Sequence, residues 1–131
     1  MPAILETTGN PYTHLVLRGG TETGPNFGRE GVARARSNLR SAGLAEVIMI
    51  DCSHGNSDKH PERQLAVIED VLEQRLAGES ALKALMIESN LVGGRQSLDS
   101  YPLTYGQSIT DACLGFDATR RAVAELASRL R

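Results

Sequence analysis

Val47-Ile48-Met49-Ile50-Asp51-Cys52-Ser53-His54-Gly55-Asn56-Ser57 is the stretch whose reading decides the fold class. An apolar run rich in β-branched residues stops abruptly at an acid, a thiol, a hydroxyl, an imidazole and a glycine. Such a run reads as a buried strand of a parallel sheet. Polar groups at the carboxyl end of such a strand sit where α/β folds build their sites. The layout recurs at Ala84-Leu85-Met86-Ile87-Glu88-Ser89-Asn90 and, more weakly, at Leu15-Val16-Leu17-Arg18-Gly19-Gly20. Three such strands in succession suggest one shared rim.

Helical patterns lie between them. Residues 29–42 carry Val32, Ala35 and Leu39 on one face, with Gly43 as the stop. The next helix is expected after a Ser57 or Asp58 cap, with Pro61 in its first turn. Its stripe is Leu65, Ile68, Val71, Leu72 and Leu76, and it ends near Gly78. A glycine- and proline-bearing loop leads from Glu88 to Ser108-Ile109-Thr110-Asp111-Ala112-Cys113-Leu114-Gly115, the expected fourth strand. A last helix over 118–130 follows, capped by Asp117, with Val123, Leu126 and Leu130 facing one way. Residues 2–8 read as a short strand turning at Gly9-Asn10-Pro11. Alternating strands and helices imply parallel strands with right-handed crossovers. Four such units make half of a (β/α)8 barrel, since the full barrel takes roughly 250 residues. A four-stranded open sheet is the alternative.

Composition narrows the function classes. The 131 residues, 40% apolar with a net charge of −2, suit one globular domain over 1–131 with no basic field for nucleic acid. Trp is absent and aromatics are scarce, so base-stacking surfaces are not expected. No apolar run approaches the ~20 residues of a membrane span. The start of the chain lacks a secretory signal pattern. Cys52 and Cys113 have no zinc-type pair spacing and read as reduced thiols of a cytoplasmic protein.

The motifs His14-Leu-Val-Leu-Arg-Gly-Gly20, Met49-Ile-Asp-Cys-Ser-His-Gly-Asn-Ser57, Met86-Ile-Glu-Ser-Asn-Leu91 and Ser108-Ile-Thr-Asp-Ala-Cys-Leu-Gly115 occur in this order along the chain. Together they resemble the C-terminal part of a type I DAHP synthase (3-deoxy-D-arabino-heptulosonate 7-phosphate synthase). The likeness covers essentially the whole chain. It implies the C-terminal half of a (β/α)8 TIM barrel. It also implies condensation of phosphoenolpyruvate with erythrose 4-phosphate, the first step of the shikimate pathway to aromatic amino acids. Carried over residue by residue, His54, Glu88 and Asp111 match three ligands of a divalent metal of manganese, iron, cobalt or zinc type, with His54 and Asp111 also at the chemistry. Arg18 matches an arginine that holds the phosphate of phosphoenolpyruvate. Imidazole with carboxylates suits such ions, and a guanidinium fork suits phosphate. The family's cysteine ligand and its other substrate-gripping lysines and arginines belong to the first half of the barrel. Asn90 and Gly93 stand where many members carry histidine and glutamate.

Taken singly, these residues have plainer readings. His54 alone is a loop histidine, Glu88 an ion-pair partner, Asp111 a turn acid and Arg18 a surface ion pair. Cys52 would share a face with His54 on a continuing strand, yet buried thiols ordinarily just pack. His14 and His60 are structural, and Arg29, Arg34, Arg36 and Arg40 form a solvated helix face. Two functions follow: a condensing enzyme completed by a first half, or a non-catalytic half that binds metal or a partner chain. Unpaired strand edges near 15–18 and 109–113 would favour self-association or pairing with an N-terminal half.

Overall fold

The computed structural model describes residues 3–131. Three parallel strands, β1 (Leu15–Leu17), β2 (Ile48–Asp51) and β3 (Leu82–Met86), form a sheet in the order β1-β2-β3. Helix α1 (Arg29–Ser41) connects the first two strands. A short α2 (His54–Ser57) and α3 (Arg63–Leu76) connect β2 to β3. After β3 come β4 (Ser89–Asn90), β5 (Val92–Arg95), β6 (Gln107–Ser108), β7 (Leu114–Gly115) and α4 (Phe116–Arg129). The architecture is thus mixed α/β with parallel strands.

Strand alternation gives the sheet two unlike faces. Leu17, Ile48, Ile50 and Cys52 enter one core with Val32 and Ala35 of α1, Val67, Ile68 and Val71 of α3, and Ala122 of α4. On β3 a register shift at Ile48/Met49 lets Leu82 join this core while Leu85 and Ile87, rather than Ala84, continue it. The opposite face carries Val16, Met49 and Ala84 in register, with Met86 two residues further along β3. Among the described residues, these side chains do not join the helix-packed core, and Met86 is 39% exposed. Continuing that face past the apolar residues brings up Arg18, Asp51 and Glu88, each two residues on from Val16, Met49 and Met86. The site therefore grows from this face.

Several expectations are corrected. Residues 3–8 form no strand, and Pro2 lies outside the described residues. Ser57 and Asp58 do not cap α3. Ser57 ends α2, Asp58 closes it in the left-handed region (φ 52), and α3 starts after Glu62. Leu65 and Leu76 are exposed, and the buried side of α3 is Gln64, Val67, Ile68, Val71, Leu72 and Gln74. On α4 the buried residue is Ala122, whereas Val123 and Leu130 are exposed. Asp117 sits inside the first turn of α4, where its charge complements the positive end of the helix dipole, and Gly115 holds the cap position. Arg36 is no solvated residue: its guanidinium joins Glu46 (2.6 Å) and Glu79 (2.9 Å) across three segments.

The fourth strand is broken. The Ser108 hydroxyl accepts from the Thr110 amide at 3.1 Å, which bends the chain before Asp111. Only β7 resumes strand geometry, pairing in parallel with β4, and the Leu114 amide donates to the Glu88 carbonyl at 3.0 Å. The intervening loop is organised by a parallel β5–β6 ladder. Gly93 backs onto Gly115 so closely that a Cβ there would stand 3.1 Å from the Gly115 nitrogen.

Candidate metal centre

The imidazole of His54 owes its place to a backbone reversal. On a continuing strand it would follow Cys52 into the core. Instead His54 adopts φ 48, a conformation that disfavours L side chains by roughly 1–2 kcal/mol. The turn returns the ring to the face of Asp51. Cys52 stays fully buried, and its thiol is pushed up to about 12 by burial and then by the Asp51 charge. It packs and does not join the site. Cys113 is half-buried, its thiol also raised by burial.

His54 Nε2 lies 3.3 Å from Glu88 Oε1 and 3.8 Å from Asp111 Oδ2. One donor atom from each of the three residues falls within 4.8 Å of the others. Metal–ligand bonds of about 2.0–2.2 Å put neighbouring donors roughly 3–3.6 Å apart, which the 3.3 Å His54–Glu88 pair meets as it stands, while Asp111 at 3.8 Å would close in by a small movement of its exposed side chain. His54 and Glu88 are half-buried and Asp111 is exposed, which leaves an open side. With Asp51, three carboxylates face one imidazole, and Arg18 and Lys59 only partly offset them, an excess of negative charge that suits a divalent cation.

Buried polar groups hold this arrangement. The Ser53 hydroxyl donates to Glu88 Oε2 at 2.8 Å. Gln64, fully buried on α3, clamps the Glu88 backbone: its Nε2 donates to the carbonyl (3.1 Å) and its Oε1 accepts from the amide (2.9 Å). Asn56 donates to the carbonyls of Leu17 (3.0 Å) and Asp51 (2.8 Å) and accepts from the Asn26 amide (2.9 Å). Asn26 in turn accepts from the Gly19 amide at 2.8 Å. The ends of β1 and β2 are thereby pinned together. Gly19 needs its φ of +67, and a Cβ there would stand 2.6 Å from the Gly55 carbonyl carbon.

His54, Glu88 and Asp111, the three expected ligands, therefore converge. Arg18 stands beside them, exposed, with its Nε 3.9 Å from Asp51 Oδ2. Lys59, which the sequence reading passed over, lines the same small cavity with Ser53, His54 and Asp111. Asp51 and Gln64 were also unassigned. A carboxylate three residues before a ligand histidine was a readable signal for Asp51, and nothing local marked Gln64. His14 does not join the cluster, and His60 lies 3.8 Å from Asp58 instead.

The sequence profile described as the DAHP synthetase I family matches residues 3–124. The chain belongs to the DAHP synthetase I family. Among curated members, it is 45% identical over 130 residues to the Phe-sensitive phospho-2-dehydro-3-deoxyheptonate aldolase of Escherichia coli K12, covering 98% of this chain and 37% of that protein. The Trp-sensitive E. coli K12 enzyme is 46% identical over 126 residues, covering 95% and 36%. The solved phospho-2-dehydro-3-deoxyheptonate aldolase of Francisella tularensis SCHU S4 superposes with a TM-score of 0.89 at 44% identity, over 97% of this chain and 37% of that one. This DAHP synthetase I family chain thus spans little more than a third of the length of the relatives it matches. Among the described residues, no helix is long and apolar enough to cross a membrane.

Proposed function

We propose that this chain is the C-terminal, metal-holding half of a (β/α)8 DAHP synthase barrel, working in the condensation of phosphoenolpyruvate with erythrose 4-phosphate. The observation that carries the reading is the convergence of His54 Nε2, Glu88 and Asp111 at the polar ends of successive β/α units. These three residues hold a divalent ion of manganese, iron, cobalt or zinc type. The ion, when bound, supplies Lewis-acid polarisation of the aldehyde carbonyl of the sugar phosphate.

The chain's own residues do the rest of what this half contributes. Arg18 presents its guanidinium to the phosphate of phosphoenolpyruvate, and Asp51 supports it from below. Glu88 is locked at its backbone by Gln64 and at its carboxylate by Ser53, so its donor oxygen is fixed before any substrate arrives. Asp111 lies at the exposed rim, the side from which the sugar aldehyde would approach.

A second reading has its own support. The face of the sheet that carries the site is exposed at Met86, and the chain matches about 37% of the relative's length, so the segment would be a non-catalytic half that binds metal or a partner chain and turns nothing over. One experiment separates the two. The purified chain, with Mn2+, is assayed for loss of phosphoenolpyruvate in the presence of erythrose 4-phosphate, alone and after mixing with a relative's first half. Turnover that His54→Ala abolishes supports the enzyme reading. Mn2+ binding with no turnover in either mixture overturns it in favour of the second.

A further inference from the structure

We infer that Asp51 is the positioning residue of this centre, fixing the His54 ring with its proton on Nδ1 so that a bare Nε2 faces the metal. The inference rests on the metal reading above and deepens it. Asp51 is 2% exposed at the last position of β2. Both of its carboxylate oxygens are in use. Oδ1 accepts from the Ser53 amide at 2.9 Å, a short-range bond that shapes the turn after the strand. Oδ2 stands 2.7 Å from His54 Nδ1. An ionised carboxylate can only accept, so the hydrogen in that contact belongs to the imidazole nitrogen.

The consequence is a choice of tautomer. A neutral ring with Nδ1–H has its lone pair on Nε2, the atom that points at Glu88 and Asp111. A ring with Nε2–H would aim a proton at the ion's place. Asp51 also sets the turn itself, because the Ser53 amide it holds precedes the His54 residue at φ 48. Arg18 Nε approaches the same Oδ2 at 3.9 Å. One carboxylate thus orients the candidate ligand histidine and lies beside the arginine expected to bind an anion.

Asp51→Asn tests this with little change of shape. If the amide oxygen keeps the Ser53 amide, the NH2 group faces His54 Nδ1, which must then accept, and the ring shifts its proton to Nε2. The measurement is the pair of side-chain nitrogen shifts of His54 in the metal-free chain, read by long-range proton–nitrogen correlation, which distinguishes the two tautomers, followed by Mn2+ titration.

The wild-type chain is expected to show the Nδ1–H pattern, and Asp51→Asn the Nε2–H pattern with Mn2+ affinity lower by roughly 10–100-fold. An Nε2–H pattern in the wild-type chain overturns the inference, whether or not the variant folds. An Nδ1–H pattern that persists in a folded Asp51→Asn chain overturns it too. A wild-type chain with the Nδ1–H pattern that takes up no Mn2+ supports the Asp51 contact and instead refutes the metal reading on which the site's purpose rests.

Discussion

Replacing Asn56 with alanine removes three hydrogen bonds at a side chain only 5% exposed: two donated to the carbonyls of Leu17 and Asp51, and one accepted from the Asn26 amide. At roughly 0.5–1.5 kcal/mol each, the loss sums to about 3 kcal/mol. A typical domain has only about 5–15 kcal/mol in total, so this is a large fraction. With a urea dependence of about 1.5 kcal/mol/M, the unfolding midpoint falls by about 2 M. Urea titration followed by far-ultraviolet circular dichroism reads it directly. Asn56→Asp sharpens the test. The carboxylate still accepts from Asn26 but faces the two carbonyls with no proton to give, so near neutral pH it should destabilise at least as much as alanine. A midpoint shift below about 0.5 M in the alanine variant, or a wild-type midpoint in Asn56→Asp, would refute the claim that this amide ties the ends of β1 and β2.

Gln64→Leu should strip both backbone partners from Glu88, lowering stability by about 2–4 kcal/mol and weakening Mn2+ binding, measured by the same titrations; unchanged Mn2+ affinity would show that the clamp does not position Glu88. Glu46 has its carboxyl held below the ordinary 4.5, first by the hydrogen bond from Arg36 and then by that from Arg40. A depressed carboxyl stabilises above its unfolded value, and that stability is lost as pH falls below 4.5 through the folded value. Arg36→Met should therefore flatten the acid limb of the stability profile, and an unaltered limb would count against the pairing. At pH 8, iodoacetamide should label half-buried Cys113 well before Cys52, whose thiol is pushed up to about 12 and fully buried. Equal rates in the folded chain would contradict the core placement.

What could be read from the sequence was what depends on near neighbours. β2, α1 and the buried middle of α3 announce themselves by apolar runs and helical spacing, and Gly43 and Gly78 mark helix ends at φ 67 and 99. The broken fourth strand did not, because β7 finds its partner in β4, more than twenty residues earlier, through a loop whose ladders are two to four residues long. The edges of the α3 stripe failed for a related reason. Leu65 lines the groove between α3 and α4, whose position no periodicity encodes. The three candidate ligands, His54, Glu88 and Asp111, were visible only as a set of motifs. Asp51 stood in the first stretch quoted, but its partner depends on the reversal at His54, which no propensity would propose. Gln64 looked like any polar helix residue until Glu88 was seen to meet it.

The polar wiring of the site runs between neighbouring units only. β1 is tied to β2 through Asn56, β2 to the end of β3 through Ser53, and α3 to the same point through Gln64. Every one of these bonds lies between residues 17 and 88. A polypeptide cut anywhere upstream of His14 would leave all of them uncut, so these ties are internal to the segment. The framework behind the candidate site is thus contributed by one contiguous stretch of sequence, with Asp111 alone reaching it from beyond Glu88.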